Sequence, residues 1–442
     1  MIFGETIVAL SSGRLPAGVA VIRVSGPNTR FVLETICGEA PLARRAALRT
    51  LYSYPDKAIL DRGLTIYFPA PHSFTGEDVA EFQIHGGRAV VEALMTALTA
   101  MPGVRHAEAG EFTRRAFMNG KLDLVQTEAL ADLINADTEA QRRFAQRNAD
   151  GAQSALYTGW RQRLIHARAM IEAEIDFADE SDVPGSLADT VWADMENLAE
   201  DVSTHIKGFA AAEIIQDGFK VVILGAPNAG KSSLFNALAR RDVAIVTDEP
   251  GTTRDLLDVT LDLGGLKIVI TDTAGLRENA GTIEAIGIEK ARERSRQADL
   301  VLALEDMSAP QPVETDWLKS DSIKVGTKLD LDCDPDQQGE TYDLTISSLT
   351  GEGVAGLLAA IRRRAEQSLS LVGDVLPTRL RHVELLSDTL RHLRKARSGF
   401  GQPLELRAEE LRLAADALGR ITGAIDVEDL LDVIFSQFCI GK

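Results

Sequence analysis

The chain has 442 residues, of which 45% are hydrophobic, so its length allows about three domains that each bury a core. Lysine and arginine number 47 against 66 aspartate and glutamate residues, which gives a formal net charge of −19. This acidic balance excludes nucleic-acid binding through bulk charge, although a local basic patch remains compatible with it.

The cysteines and apolar segments exclude further classes of protein. Cys37, Cys333 and Cys439 are far apart and lack metal-ligand spacing, so neither a disulfide framework nor a zinc site is expected. The first residues, MIFGETIVAL, lack the basic region and long apolar run of a signal peptide. No stretch approaches roughly 18 uncharged apolar residues, so we expect no membrane span and a cytoplasmic location.

The first segment, residues 1–118, mixes strand and helix patterns. The apolar runs over 19–26 and 64–70 predict strands, and the spacing over 89–101 predicts a helix. Proline and glycine punctuate this region, as expected of an α+β domain with short connections.

The rest of the chain changes period twice. Residues 119–216 contain little glycine or proline and carry a repeating apolar stripe, which predicts a helical bundle. Strand and helix patterns alternate over 217–372, which predicts a parallel, doubly wound sheet. Helical spacing returns over 373–442, so we expect the α/β domain to be inserted into a helical domain.

The strongest motif is GAPNAGKSS, residues 225–233, which fits G-x-x-x-x-G-K-[ST] between a predicted strand and a predicted helix. Gly225 and Gly230 permit a tight loop whose N–H groups point at phosphate oxygens, and the helix N-terminus adds its positive dipole end. Lys231 would reach the outer phosphates, and the Ser232 hydroxyl would ligate Mg²⁺.

Two downstream motifs indicate the nucleotide. DTAG begins at Asp272, which would hold the Mg²⁺ shell. TKLD resembles the N-K-x-D element of GTPases, in which Asp330 would accept hydrogen bonds from the N1–H and the 2-amino group of guanine. Lys328 would lie along the base and the phosphate loop. Thr327 replaces the usual asparagine and cannot reproduce its two-sided bond, so we expect guanine specificity with weaker affinity.

Further residues complete the predicted GTP site. The threonine-rich stretch 247–255 has the position of a first switch loop, and SSLTG would back the base with main-chain groups. Asn228 either supplies an amide oxygen beside the phosphates or is a turn residue, and its spacing leaves both open. The predicted GTP contacts are Asn228, Ala229, Gly230, Lys231, Ser232, Ser233, Thr247, Thr252, Thr253, Asp272, Thr273, Ala274, Gly275, Thr327, Lys328, Asp330, Ser347, Ser348 and Leu349.

Six motifs together resemble the MnmE (TrmE) family of tRNA-modifying GTPases over essentially the whole chain: GAPNAGKSS, GTTRD, DTAGLRE, FTGED, GEFTRRAFMNGKLDL and the terminal CIGK. The resemblance implies an α/β plus all-α fold. Its parts would be an N-terminal α+β folate-binding and dimerisation domain, a discontinuous helical bundle domain and an inserted Ras-like P-loop GTPase domain.

The resemblance also implies an activity. Such a protein forms a homodimer and, with the FAD-dependent partner MnmG (GidA), a heterotetramer. It adds a (carboxymethyl)aminomethyl group to C5 of the wobble uridine of certain tRNAs, with the carbon from a 5-formyl or methylene tetrahydrofolate derivative. GTP hydrolysis would drive the two G domains together and apart.

In this family K⁺ takes the part of an arginine finger and offsets charge that develops in the transition state. The resemblance assigns K⁺ to Asn228, Thr247, Glu249 and Thr252, and Mg²⁺ to Ser232 and Thr253. It also makes Glu284 the acid that orients the attacking water. Without the resemblance, Glu284 would be interpreted as an exposed glutamate at the start of a helix.

The resemblance assigns folate binding to Arg23, Glu81 and Lys121. A carboxylate such as Glu81 can pair with the amide and amino edge of a pterin. Arg23 and Lys121 would receive carbonyl or formyl oxygens or the glutamate tail. Their spacing alone demonstrates no site, since each charge is also an ordinary surface residue.

The terminal FCIGK has three interpretations. Gly441 and Lys442 do not fit a prenylation signal, and a second reading is an inert end after a helix over 426–438. The resemblance instead makes Cys439 a candidate active thiol and Lys442 a folate contact. The thiol would attack C6 of the uridine, transfer a proton or position the base, and the sequence does not choose among these roles.

A different class of function competes with this one. A regulatory or ribosome-assembly GTPase would also need the phosphate loop, but it needs neither a folate site in the first 120 residues nor a terminal cysteine. Basic clusters at 105–115, 141–147 and 379–397 would face tRNA phosphates or simply be solvated helix faces.

Overall fold

The computed structural model describes residues 4–176, 187–241, 243–245, 258–272, 296–311, 321–331, 341–369, 375–398, 403–425, 431, 434–435 and 441. The chain divides into two compact units. The first comprises Met1–Ala131, Ser154–Gln162 and Ala415–Lys442, and the second comprises Asp132–Gln153 and Arg163–Ala414. In these described ranges, no helix has the length and apolar character needed to cross a bilayer.

A six-stranded sheet forms the centre of the first unit. Its order is β3-β4-β5-β2-β1-β6, and every neighbouring pair is antiparallel except β1 and β6. The strands are β1 (Thr6–Leu10), β2 (Ala17–Ser25), β3 (Ala47–Tyr52), β4 (Ile59–Phe68), β5 (Val79–Gly86) and β6 (Val104–His106). This pairing places Arg23 of β2 directly opposite Glu81 of β5.

Two helices cover this sheet and close its core. Helix α1 (Thr29–Cys37) and helix α2 (Arg88–Thr99) bury apolar stripes against alternating residues of the strands. Ile22, Val24 and Phe82 are fully buried there. Alternation along a strand puts these three residues on the core face, so Arg23 and Glu81 project from the other face.

A buried arginine ties the following helix, α3 (Glu111–Met118), to the sheet. Arg115 is 1% exposed and donates to Glu77 and Glu111, each at 2.9 Å, and to the Glu5 carbonyl at 2.9 Å. Burial raises the pKa of Glu111, but hydrogen bonds from Arg105, the Glu108 N–H and Arg115 outweigh burial and lower it below its usual value. The ionised Glu111 therefore stabilises the fold above its unfolded-state pKa, and this is lost as the pH falls through the lowered value.

Most of the remaining helices lie in the two predicted helical regions, and two lie in the predicted α/β region. They are α4 (Leu124–Ile134), α5 (Glu139–Ala149), α6 (Ala152–Asp176), α7 (Leu187–Lys207), α8 (Phe209–Asp217), α9 (Lys231–Ala239), α10 (Val354–Leu369), α11 (Leu380–Ser398) and α12 (Leu404–Thr422). In the second unit, the guanidinium of Arg407 lies 3.5 Å from the ring centre of Trp192, which joins α12 to α7. The helix predicted over 426–438 falls mostly outside the described residues.

The second unit contains a six-stranded sheet in the order β12-β11-β10-β7-β9-β8. Its strands are β7 (Phe219–Gly225), β8 (Asp258–Asp262), β9 (Lys267–Asp272), β10 (Leu300–Asp306), β11 (Asp321–Thr327) and β12 (Leu344–Thr345). All pairs are parallel except β8 with β9. The prediction of a parallel sheet is thus wrong for β8 alone, because the four-residue turn to β9 is too short for a parallel crossover.

That turn also contacts a helix. The N–H of Ala140 at the start of α5 donates to the Gly265 carbonyl at 3.0 Å, and the Lys267 ammonium lies 2.9 Å from a carboxylate oxygen of Asp137. The predicted fold class, an α+β domain with a helical bundle and an α/β domain, is confirmed. The bounds of the four predicted segments, 1–118, 119–216, 217–372 and 373–442, stay a prediction.

We expect Arg115→Ala to lower the free energy of opening of β1 and β6 by about 3 kcal/mol, because it leaves two partly buried carboxylates without their shared partner. Hydrogen exchange of the amides in these strands measures that free energy. Arg30→Ala is the matched control, since it removes an exposed ion pair with Glu34 and should cost at most about 0.5 kcal/mol. Equal effects of both variants would contradict a structural role for Arg115.

Candidate functional site

The phosphate loop joins β7 to α9. Gly230 has φ +86 and Asn228 has φ +66, so both adopt the left-handed conformation that turns successive N–H groups inward. Lys231 begins α9 and is buried. Its ammonium donates to the carbonyls of Gly225 at 2.9 Å and Ala226 at 2.8 Å. These two bonds hold the side chain across the loop.

Two residues predicted for the Mg²⁺ site, Ser232 and Asp272, come together beside this loop. The Ser232 hydroxyl donates to a carboxylate oxygen of Asp272 at 3.3 Å. Asp272 is the last residue of β9 and is 1% exposed, so the parallel pairing of β9 with β7 delivers it to the first turn of α9. A hydroxyl and a carboxylate this close are the hard oxygen donors that Mg²⁺ prefers.

Thr327 connects the base-recognition loop to the phosphate loop. It ends β11 and is buried, and its hydroxyl lies 2.9 Å from the Ala229 carbonyl and 3.1 Å from the Glu305 carbonyl. A hydroxyl has one proton to donate, so these two carbonyls share it. Thr327, which stands where the usual motif has asparagine, thus keeps a hydrogen bond to the phosphate loop through its single hydroxyl.

The two charged residues of the TKLD motif are each held by a neighbour. The Lys328 ammonium lies 2.5 Å from Asp306 at the end of β10, and the Ser347 hydroxyl donates to Asp330 at 2.5 Å. Burial raises the pKa of Asp306, but hydrogen bonds from Lys328 and Ser308 lower it below its usual value. Asp330 itself is exposed, which leaves its carboxylate accessible to a base.

Leu349 and Ser348 follow Ser347 in the loop after β12. Ser347 is fully buried and accepts a bond from the Thr350 N–H at 3.1 Å, whereas Leu349 is 85% exposed. The loop therefore places an exposed apolar side chain two residues after the partner of Asp330, and its contact with a base stays a prediction.

In the first unit, Arg23 and Glu81 form an ion pair on the face of the sheet opposite the core. The Nε and Nη2 of Arg23 donate to the same oxygen of Glu81, Oε1, at 3.0 and 2.9 Å. Both side chains are 20% exposed. Within the described part of the chain, no residue bonds to the other oxygen, Oε2. The pair therefore retains an acceptor that a ligand can reach.

Aromatic rings flank this ion pair. The guanidinium carbon of Arg23 lies 5.5 Å from the ring centre of Phe74 and 5.7 Å from that of Phe112. Phe74 is 36% exposed, while Phe112 is fully buried. Sequence reasoning missed the role of Phe74, although the FTGED stretch that contains it was among the distinctive motifs.

Lys121 lies against the loop that carries Phe74. A Cβ at Gly76 would lie 3.2 Å from Cε of Lys121, and the Asn119 amide donates to the Thr75 carbonyl at 2.7 Å. The predicted folate residues of this unit are Arg23, Glu81 and Lys121. Lys121 thus lies beside the loop of residues 72–78, and Arg23 and Glu81 lie on two paired strands next to that loop.

The chain end is fixed beside β1. The Ser11 hydroxyl donates to the Gly441 carbonyl at 2.7 Å across a sequence separation of 430 residues. A Cβ at Gly441 would lie 2.1 Å from the Leu10 carbonyl oxygen, so only glycine fits. Before it, Leu431 and Phe435 are buried against Leu124.

The other predicted site residues lie outside the described residues. They are Thr247, Glu249, Thr252, Thr253, Thr273, Ala274, Gly275, Glu284, Cys439 and Lys442. Their assignments as GTP, Mg²⁺, K⁺, catalytic and folate residues stay predictions.

Comparison with known proteins decides the family. A family model described as the MnmE helical domain matches residues 124–439, and one described as the GTP-binding protein TrmE N-terminus matches residues 6–121. A Mesorhizobium japonicum protein named tRNA modification GTPase MnmE is 66% identical over 444 residues, covering 100% of both chains. A Brucella melitensis protein of the same name is 58% identical over 440 residues, covering 100% of this chain and 99% of the relative.

The chain belongs to the MnmE family. It is therefore a GTP hydrolase of that family, and GTP is the nucleotide of its phosphate loop. Among solved structures, the G domain of the FeoB iron transporter of T. maritima is 28% identical over 33% of this chain and 98% of that chain. Its TM-score of 0.25 is too low to support any inference about the fold.

We expect Thr327→Val to weaken GTP binding about fivefold, because the valine keeps the shape but removes a hydrogen bond worth about 1 kcal/mol. Thr327→Asn should tighten binding, since an amide can donate and accept. Both dissociation constants are measured by titration with a fluorescent GTP analogue. Thr260→Val on β8 is the control, and the hypothesis fails if this variant weakens binding as much as Thr327→Val does.

Proposed function

We propose that this MnmE family member is a K⁺-dependent GTPase that modifies C5 of the wobble uridine of certain tRNAs. With an FAD-dependent partner it adds a (carboxymethyl)aminomethyl group, whose carbon comes from a 5-formyl or methylene tetrahydrofolate derivative. The observation that carries the proposal is the position of Gly441. It lies beside β1, which is the strand next to the one that holds Arg23.

The nucleotide half of the proposal begins with Mg²⁺-GTP. Ser232 and Asp272 are the donors available to Mg²⁺, with Thr253 as a further hydroxyl. Lys231 lies across the loop, where its ammonium bonds to two loop carbonyls and would bind phosphate oxygens in their place. Bound Mg²⁺ would supply charge neutralisation at the β- and γ-phosphates.

The monovalent cation is assigned to the switch side of the phosphate loop. Asn228 is exposed and has a left-handed backbone conformation. Its amide oxygen would be a ligand, together with Thr247, Glu249 and Thr252. A K⁺ ion there would supply positive charge to the transition state, and Glu284 would orient the attacking water.

Guanine selection is assigned to Asp330. Its carboxylate is exposed and is oriented by Ser347, so it can accept two hydrogen bonds from the guanine edge. Lys328 would lie along the base, and Ser348 and Leu349 would cover it. Adenine lacks the paired donors, so ATP should bind much more weakly.

The one-carbon half of the proposal uses the ion pair of the first unit. The Oε2 of Glu81 would accept from a pterin amino group, while Arg23 keeps the carboxylate ionised and oriented. Phe74 offers a partly exposed ring on which a flat heterocycle can stack. Lys121 and Lys442 would hold the acidic tail of the folate.

Cys439 is proposed as the reactive group for the uridine. It stands two residues before Gly441 in the sequence, and the Gly441 carbonyl accepts a bond from Ser11 at the end of β1. Its thiolate would add to C6 of the ring while the electrons of the C5=C6 double bond move toward C5, and it would leave again once C5 has reacted, or its thiol would transfer a proton. Both roles need the sulfur and distinguish it from a serine hydroxyl.

The assembly completes the proposal. Two copies would form a homodimer through the N-terminal domain and bind the partner MnmG as a heterotetramer in the cytoplasm. Hydrolysis of GTP would bring the two G domains together and then release them, which moves the helical domain that carries the chain end.

GTP hydrolysis should be at least about tenfold faster in KCl than in NaCl at equal ionic strength, because a cation of the right size replaces an arginine finger. Asn228→Ala should abolish this difference. Asn236→Ala, on the exposed surface of α9, should preserve it. Steady-state phosphate release gives all three rates, and equal rates in the two salts would refute the K⁺ assignment.

Cys439→Ser should abolish tRNA modification and leave GTP hydrolysis within about twofold of the unmodified chain. The measurement is nucleoside analysis of tRNA from a deletion strain that carries either gene copy, alongside phosphate release from the purified proteins. Cys37→Ser is the matched control, since that thiol is buried in the core, where burial raises its pKa to about 11. Normal wobble uridine modification in the deletion strain would defeat the proposed function.

A further inference from the structure

A groove of about 670 Å³ runs between the C-terminal halves of α7 and α11, within the second unit. Four of the residues that line it are cationic: Lys207, Arg391, Arg394 and Lys395. Among the described residues, three serines and two apolar side chains make up the rest of its lining, which includes no carboxylate. The net charge of the whole chain is −19, so this cluster of four cations has the opposite sign to the chain as a whole.

The cations are available to a ligand. All four are exposed. Arg391 pairs with Asp388 at 2.6 Å and Lys395 lies 4.0 Å from Glu410, both at the surface where ion pairs contribute little. Lys207 and Arg394 form no ion pair with any residue that the structure describes.

Helix stability accounts for only part of this charge. Lys207 and Lys395 lie in the last turns of α7 and α11, where a cation interacts favourably with the negative end of the helix dipole. Arg391 and Arg394 precede the last turn of α11. They therefore do not interact with the end of the helix dipole in this way. Their spacing of three residues places them on one face of the helix, toward the groove.

The charge of the lining residues changes along the surface of α7. A neighbouring groove of about 350 Å³ shares Ser203, Lys207 and Arg394 and continues along α7, but it is also lined by Glu196 and Glu200. These carboxylates repel an anion, so the attractive part is the end that Arg391 and Lys395 line. Arg391 and Lys395 are one helical turn apart, about 6 Å along the axis, so the charge is spread over more than a single phosphate.

We propose that this groove binds the phosphodiester backbone of tRNA. The inference rests on the proposed function, which makes tRNA the substrate. Lys207, Arg391, Arg394 and Lys395 neutralise successive phosphates, and the hydroxyls of Ser203 and Ser387 donate to phosphate oxygens. Such contacts position RNA without reading its sequence. An acidic protein surface is the competing occupant.

The test is the salt dependence of binding by the full chain to an unmodified tRNA transcript, followed by fluorescence anisotropy between about 50 and 200 mM KCl. Lys207→Ala/Arg394→Ala should raise the dissociation constant about tenfold at mid-range salt. The slope of log K against log salt should become shallower by about two, because two phosphate contacts are lost.

Two further variants make the result specific. Arg30→Ala/Arg168→Ala removes the same two charges from ion pairs on α1 and α6 and should leave the slope unchanged. Lys207→Arg/Arg394→Lys keeps the charge and should bind as the unmodified chain does. Thermal unfolding midpoints of all variants show whether any loss comes from misfolding.

Three results would overturn the inference. An unchanged slope in the alanine variant, or an equal loss in the control, removes the groove from RNA binding. Loss of binding to polyglutamate with tRNA binding intact assigns the groove to an acidic protein instead. Failure of the unmodified chain to bind tRNA at all would reject the substrate in the proposed function as well, whereas binding that the groove variant retains rejects only the groove.

Discussion

The contact between Ser11 and Gly441 is the constraint on which the proposed chemistry depends. It joins residues 430 positions apart, within the compact unit that contains both the first and the last described residues of the chain. The Leu10 carbonyl oxygen leaves no room for a side chain at Gly441, and the buried Leu431 and Phe435 hold the preceding turn against Leu124. Gly441 itself is thereby fixed at the end of β1, the strand that pairs with the one carrying Arg23.

Hydrogen bonds within the chain orient the polar side chains of the phosphate loop. Carbonyls of the loop hold Lys231, Asp272 holds Ser232, and Thr327 joins the TKLD motif to the phosphate loop through Ala229. Side chains held in this way lose less entropy on binding a ligand than mobile side chains do. The single hydroxyl of Thr327 makes this link weaker than an amide would.

Local patterns in the sequence predicted much of the nucleotide site, because a phosphate loop needs a strand, two glycines and a helix in direct succession. They predicted the helical stripe and most of the α/β order for the same reason. The Arg23–Glu81 pair depends on strand register, the antiparallel β8 depends on the length of one turn, and the Asp306 partner of Lys328 comes from another strand. The groove of α7 and α11 joins helices almost 200 residues apart in the chain, and no short-range pattern indicates such packing.

Strand β9 has a further consequence because its two ends make different contacts. Asp272 at one end meets Ser232 of the phosphate loop, and Lys267 at the other meets Asp137, beside the hydrogen bond from Ala140 to Gly265. An extended strand hardly stretches, and five residue steps span about 17 Å. The strand thus forms a stiff connection of this length between Asp272, beside the phosphate loop, and the residues that contact the start of α5. A displacement of Asp272 along the strand would reach that helix through Lys267 and Gly265.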